Sequence, residues 1–276
     1  MTRDATPTTS WARAGGALPA MVVAPAPEPN DKARADTTET PPARCPECDG
    51  AGFFVADVPY GHPRFGELIP CRCKLAQRQR RQAAQITRMS NLQSFRDQTF
   101  ATFDPDVPGV RKAYLRALDF ARQPRGWLLL FGPCGVGKTH LAAAAANQAL
   151  DRNERVLFAV VPDLLDHLRS TFGPSSEVAY DERFELVRTV PLLILDDLGT
   201  ESATAWAREK LYQIVNHRYN QELPTVITSN RTPEQLDQRI LSRMFQRAFA
   251  GEILRMSAED YRRQIGSGRS SRPATP

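Results

Sequence analysis

One stretch limits what this chain can fold into more than any other: Gly126-Trp-Leu-Leu-Leu-Phe-Gly-Pro-Cys-Gly-Val-Gly-Lys-Thr-His-Leu141. Its apolar run, Trp127 to Phe131, lies between glycines and predicts a buried strand. The strand runs into Gly132-Pro133-Cys134-Gly135-Val136-Gly137-Lys138-Thr139, which satisfies the G-x-x-x-x-G-K-[ST] phosphate-binding pattern. An alanine-rich helix follows from His140 to about Asp151 with no breaker inside it. Glycines let the loop turn its backbone N–H groups towards phosphate oxygens, and the helix N-terminus adds unpaired N–H groups and a positive dipole end. Lys138 can reach β- and γ-phosphates, and the Thr139 hydroxyl can ligate Mg²⁺. The loop from Gly132 to Thr139, with His140 behind it, is the candidate ATP site. A glycine-rich turn with a chance lysine would not need both flanking elements.

A second strand carries acids to the same place. Leu192-Leu-Ile-Leu-Asp196-Asp197-Leu-Gly reads as a central parallel strand, whose C-terminal end faces the ligand crevice of an open α/β sheet. Asp196 is the candidate Mg²⁺ carboxylate, and Asp197 the candidate for orienting and deprotonating an attacking water. An acidic helix cap would account for only one of the two. Leu223-Pro-Thr-Val-Ile-Thr-Ser-Asn230 is a further strand, ending in a polar triplet at the same edge; Asn230 there can contact a γ-phosphate or the lytic water.

Cysteine spacing defines a separate module. Four of the five cysteines form two close pairs, Cys45-Pro-Glu-Cys48 and Cys71-Arg-Cys73, with a hairpin-sized insert between them. Such pairs favour a reduced, cytoplasmic compartment and a tetrahedral zinc over disulfides. Four protein ligands leave no open position, so the expected role is structural; His62 is a spare ligand type in the insert. No apolar run is long enough to span a bilayer, and the net charge of +5 leans mildly towards anionic partners.

The remaining chain is read around these sites. Residues 1–42, rich in Ala, Pro and Thr, and residues 266–276 are expected to be disordered tails. Residues 43–90 hold the cysteine module and a wholly basic helix, Lys74 to Arg88. That helix reads equally as a solvated linker or as a contact to phosphate or an acidic partner. Residues 91–265 form the nucleotide-binding domain. The Phe95–Phe103 aromatic cluster is expected to be core, with flanking of an adenine as the alternative. A helix from Leu236 to Arg247 places Arg239, Arg243 and Arg247 on one face. Aromatic–cation pairs, Phe172 with Arg169 and Trp206 with Arg208, suit base stacking; packing in the core is their other reading.

The order of phosphate loop, Asp-Asp strand, Thr-Ser-Asn strand and Arg-bearing helix resembles an AAA+ ATPase core. Gly137-Lys-Thr-His-Leu-Ala, Leu193-Ile-Leu-Asp-Asp-Leu-Gly and Leu223-Pro-Thr-Val-Ile-Thr-Ser-Asn resemble the DnaC/DnaI-type helicase loaders and the related IstB-type transposition ATPases. The Cys-Pro-x-Cys-x-Gly-x-Gly-Phe…Cys-x-Cys module is similar to the zinc-binding N-terminal domain of many DnaC-like proteins. The resemblance spans about Cys45 to Arg263. It implies an α/β fold, a parallel five-stranded sheet between helices without the helical lid of typical AAA+ proteins, preceded by a small zinc-binding domain.

Residue by residue, the resemblance implies Lys138 and Thr139 as Walker A, Asp196 and Asp197 as Walker B, and Asn230 as sensor 1. It implies Arg243 as an arginine finger serving a neighbouring subunit and Arg262 as sensor 2. Asp197 departs from the Glu usual for the class, which implies slower hydrolysis. Implied partners are a DnaB-like replicative hexameric helicase, single-stranded DNA and further copies of the chain in an ATP-dependent homo-oligomer, with no membrane. The alternatives are an IstB-type ATPase that binds duplex DNA and recruits a transposase, and an ATP-binding adaptor with negligible turnover. The cysteine module weighs against the IstB type, whose members generally begin with a helical domain.

Overall fold

The structure, a computed structural model, describes residues 44–170, 177–201, 204–248 and 253–258. Phe172, Arg262 and the two expected tails lie outside the described residues. The cysteine module opens with β1 (Phe53–Val55) and β2 (Leu68–Pro70), an antiparallel pair in which Phe54 faces Ile69. Helix α1 (Arg72–Met89) starts inside the second cysteine pair and is exposed along its first turns; Ile86, near its end, is buried.

Helix α2 (Arg111–Arg122) then leads into the sheet strands β3 (Trp127–Phe131), β4 (Val156–Val160), β5 (Leu192–Asp196), β6 (Thr225–Ser229) and β7 (Leu254–Arg255). Their order is β4-β5-β6-β3-β7, all parallel. Every residue of β3, β5 and β6 is buried, as parallel strands covered on both faces require. Strand alternation divides the core in two. Leu128, Leu130, Phe158, Ile194 and Val226 pack with α2 and with α3 (Lys138–Asp151). Trp127, Leu129, Leu157, Leu193 and Ile227 pack with α4 (Val161–Ser170), α5 (Glu177–Thr189), α6 (Ala205–Asn220) and α7 (Gln238–Arg247). The result is three layers, helix–sheet–helix.

One boundary differs locally from the sequence expectation. Helix α7 begins at Gln238, two residues late, because the Asp237 carboxylate accepts from the Arg239 N–H and caps it there. The last strand, Leu254–Arg255, is held against the end of β3 by the Met256 N–H on the Phe131 carbonyl at 2.7 Å.

Arg218 on α6 is fully buried without a carboxylate among its hydrogen bonds. Its guanidinium donates to the carbonyls of Arg188, Val190 and Pro224 and to the Thr225 hydroxyl, joining α5, α6 and the start of β6. Burial pushes its pKa down to about 9, so it stays charged at neutral pH.

Candidate functional site

Parallel strands deliver their following loops to one edge, and here four of them converge. The loop after β3, the ends of β4 and β5, and the residue after β6 line a single cavity of about 530 Å³. Lys138, at the first position of α3, is buried and donates to the Pro133 carbonyl at 2.7 Å and to Asn230 Oδ1 at 2.6 Å. Asn230 Nδ2 donates onward to Asp197 Oδ1 at 2.9 Å. Thr139 Oγ1 lies 3.1 Å from both carboxylate oxygens of Asp196. The structure thus brings Lys138, Thr139, Asp196, Asp197 and Asn230 into one hydrogen-bonded group.

Two glycines of the loop have a steric reason. A Cβ on Gly132 would collide with the Met256 carbonyl oxygen, and one on Gly137 would lie 2.7 Å from the Phe103 ring. Gly137 also has φ 93°, which L side chains rarely adopt. Cys134 is exposed on the loop, and Val136 is buried beneath it.

Burial pushes the Asp196 carboxyl up to about 6; Asp197 adds to the rise, while Thr228, Thr139 and Lys138 oppose it. Asp197 itself sits at φ 59°, a left-handed conformation uncommon for a residue with a Cβ.

The opposite wall comes from the segment before α2. Phe95, Phe100 and Phe103 pack against the core as expected, yet Phe95 and Phe103 also line the cavity, with Val107, Val110 and Ala258 nearby. Two residues of α3 clamp this wall, and sequence reasoning did not assign that role. Asn147 Nδ2 donates to the carbonyls of Phe95 and Gln98, and His140 Nε2 donates to the Thr99 carbonyl at 2.9 Å. Burial lowers the His140 pKa, partly offset by that carbonyl. A seven-residue separation puts His140 and Asn147 on one helix face, a signal hidden in the alanine run.

A cavity with apolar side chains at one end and Lys138, hydroxyls and paired carboxylates at the other can seat a base at one end and phosphates with a divalent cation at the other.

Other candidates lie elsewhere. Arg243 is outside this cavity, held on α6 by Asn216 Oδ1 at 2.7 Å and the Tyr212 hydroxyl at 2.9 Å. Arg239, Arg243 and Arg247 interleave with the rings of Tyr212 and Tyr219. Trp206 stacks beneath Arg169 of α4, 5.0 Å from ring centre to guanidinium, rather than with Arg208. Residues two apart on a helix point to different sides, so Arg208 faces away from it.

The sulfurs of Cys45, Cys48, Cys71 and Cys73 all lie within 4.8 Å of one another. Cys45–Cys71 is 3.8 Å and Cys48–Cys73 is 3.5 Å, spacings that suit four thiolates around one tetrahedral zinc. The Gly52 N–H on Cys48 Sγ at 3.2 Å draws that thiol down to about 7, while Cys48 pushes Cys73 up to about 12. Among the described residues, no helix is long and apolar enough to cross a membrane.

The fold and this loop geometry define a P-loop protein of the AAA+ class. Residues 65–265 match the IstB-like ATP binding protein family, and the chain belongs to that family. It is 31% identical over 174 residues to the replicative helicase loader DnaI of Bacillus subtilis (60% of this chain, 54% of that one). It is 33% identical over 159 residues to the putative ATP-binding protein Rv3427c in insertion sequence of Mycobacterium tuberculosis (56% and 62%). To the replicative helicase loader DnaC of Escherichia coli it is 26% identical over 159 residues (56% and 64%). The chain therefore matches less than two thirds of each of these relatives. Among solved structures it is similar to the DnaC helicase loader (TM-score 0.50, 26% identity, 59% of this chain and 98% of that one) and to DnaI (0.51, 27%, 60% and 94%).

Proposed function

We propose that this chain is an ATPase that loads a replicative hexameric helicase onto single-stranded DNA, with ATP bound at subunit interfaces of a homo-oligomer. The observation that carries this reading is the four-cysteine cluster set directly ahead of the phosphate-loop core, in a chain similar to DnaI and DnaC. Residues 43–90, as a zinc module with its basic helix, dock the helicase, and residues 91–265 form the ATPase domain. Zinc on the four cysteines is structural.

In the cavity, the backbone of Gly132 to Thr139 and the Lys138 ammonium bind the phosphates. Thr139 and Asp196 would hold Mg²⁺, which would supply charge neutralisation for the phosphates. Asn230 orients Asp197, and Asp197 orients the attacking water and accepts its proton. Arg243 of one subunit serves the nucleotide of the next. Arg169 stacked on Trp206 gives a cation and a π-face of the kind that grips single-stranded DNA.

A second reading, an ATPase that binds duplex DNA and recruits a transposase, is favoured by the family match and by the insertion-sequence relative. The deciding experiment is a pull-down from the native host with ATP, against a Lys138→Ala control. Recovery of a hexameric helicase through residues 43–90 supports the loader. Recovery of a transposase, with duplex DNA stimulating turnover, overturns it.

A further inference from the structure

The regular pairing of β5 with β6 ends at Leu195 and Ile227, yet the two chains stay joined beyond it. The Leu198 N–H donates to the Thr228 carbonyl at 2.9 Å, and side chains of four consecutive residues add to that join. The Thr228 hydroxyl donates to Asp196 Oδ1 at 2.6 Å and accepts from the Asp197 backbone N–H at 2.9 Å. The Ser229 hydroxyl donates to the Leu198 carbonyl at 2.6 Å, Asn230 to Asp197 Oδ1, and Arg231 Nε to the Gly199 carbonyl at 3.2 Å.

Thr228 differs from the other three in touching both acids, and it is 0% exposed. Valine would match its shape in a buried strand, so packing alone does not call for a hydroxyl there. Asp196 has two hydroxyl partners with different prospects. Thr139 belongs to the phosphate loop, and its hydroxyl oxygen is also a candidate ligand for a cation. The Thr228 hydroxyl lies in the buried strand and has no such second role. Its acceptor side fixes the peptide of Asp197, the residue held at φ 59°.

We propose that Thr228 is a positioning residue for the acid pair: one hydroxyl orients the Asp196 carboxylate towards Thr139 and holds the Asp197 peptide in its left-handed turn. The inference rests on the nucleotide-hydrolysis reading above and adds to it a residue that touches neither nucleotide nor water.

The test titrates MgCl₂ against the full chain and a fluorescent non-hydrolysable ATP analogue, in wild type, Thr228→Val and Thr228→Ser. Losing a buried hydrogen bond to a charged group predicts that Thr228→Val raises the Mg²⁺ midpoint about tenfold or more, with Mg²⁺-free affinity within about twofold of wild type. With ATP in place of the analogue, at saturating Mg²⁺, kcat falls by a similar factor while KM holds. Thr228→Ser restores both. A merely structural hydroxyl would lower Tm and leave the Mg²⁺ midpoint alone, and that result in folded Thr228→Val overturns the proposal. If Thr228→Val does not fold, Thr228→Cys, a weaker donor, is measured instead, and a wild-type midpoint again overturns it. A wild type whose affinity ignores Mg²⁺ overturns the site reading and this inference together, a failure distinguishable because no variant is involved.

Discussion

Asp196 shows how much one side chain depends on its surroundings. Its pKa of about 6 lies above the ordinary 3.8, so the fold favours the protonated form. Its contribution to stability is thus fully present below the ordinary value and is lost as pH rises through the folded value. A cation using this carboxylate competes with that proton. The Mg²⁺ midpoint for nucleotide binding should therefore rise about tenfold per pH unit below the folded pKa and level off above it. Analogue binding at a series of pH values checks this, and a midpoint independent of pH refutes it. Gly137→Ala pushes a methyl group into Phe103 at a left-handed φ. It should weaken nucleotide binding by about tenfold or more, read in the same assay, from strain on the order of 1–3 kcal/mol.

At the scale of elements, the C-terminal half of α6 is tied to both of its neighbours. Arg218 ties it to carbonyls at the end of α5 and just ahead of β5 and β6, and the Tyr212–Tyr219 rings hold the α7 arginines against it. Arg218→Met strips a buried hydroxyl and several carbonyls of a charged donor. It should cost about 3 kcal/mol or more in urea unfolding followed by tryptophan fluorescence. On the proposed role of Arg243 in a neighbouring subunit's site, Arg243→Ala should lower turnover about a hundredfold or more, while nucleotide affinity stays near wild type because Arg243 lies outside its own cavity. Equal loss of affinity would point instead to collapse of the α6–α7 packing. Helical spacing made the arginine face legible in advance. It could not identify Tyr212, Asn216 and Tyr219 as partners, because only the packing of α7 on α6 brings them together.

Across the whole molecule, two modules rest on different forces. The sheet domain is held by two apolar cores, whereas β1 and β2 bury none of their residues. So little apolar burial leaves the cysteine cluster as the organising centre of residues 45–73. Zinc removal by a chelator, or Cys48→Ser, should speed backbone hydrogen exchange there and leave exchange in β3, β5 and α3 unchanged. Protection that survives with no metal bound would refute the zinc assignment.

Local patterns already dictate much of this architecture. Strand, glycine turn and alanine helix are contiguous, so the phosphate loop follows from neighbouring residues, and unbroken apolar runs mark strands covered on both faces. Cysteine spacing likewise brings four sulfurs within reach of one another over a short hairpin. Other features depend on strand order, which no local pattern encodes. Placing β3 between β6 and β7 sets Met256 against Gly132, and placing β5 beside β6 sets Thr228 between two aspartates. The clamp of His140 and Asn147 on the Phe95–Phe103 wall, and the stacking of Arg169 on Trp206, join residues far apart in the chain. Packing on the two faces of the sheet creates those contacts, and tertiary structure alone decides them.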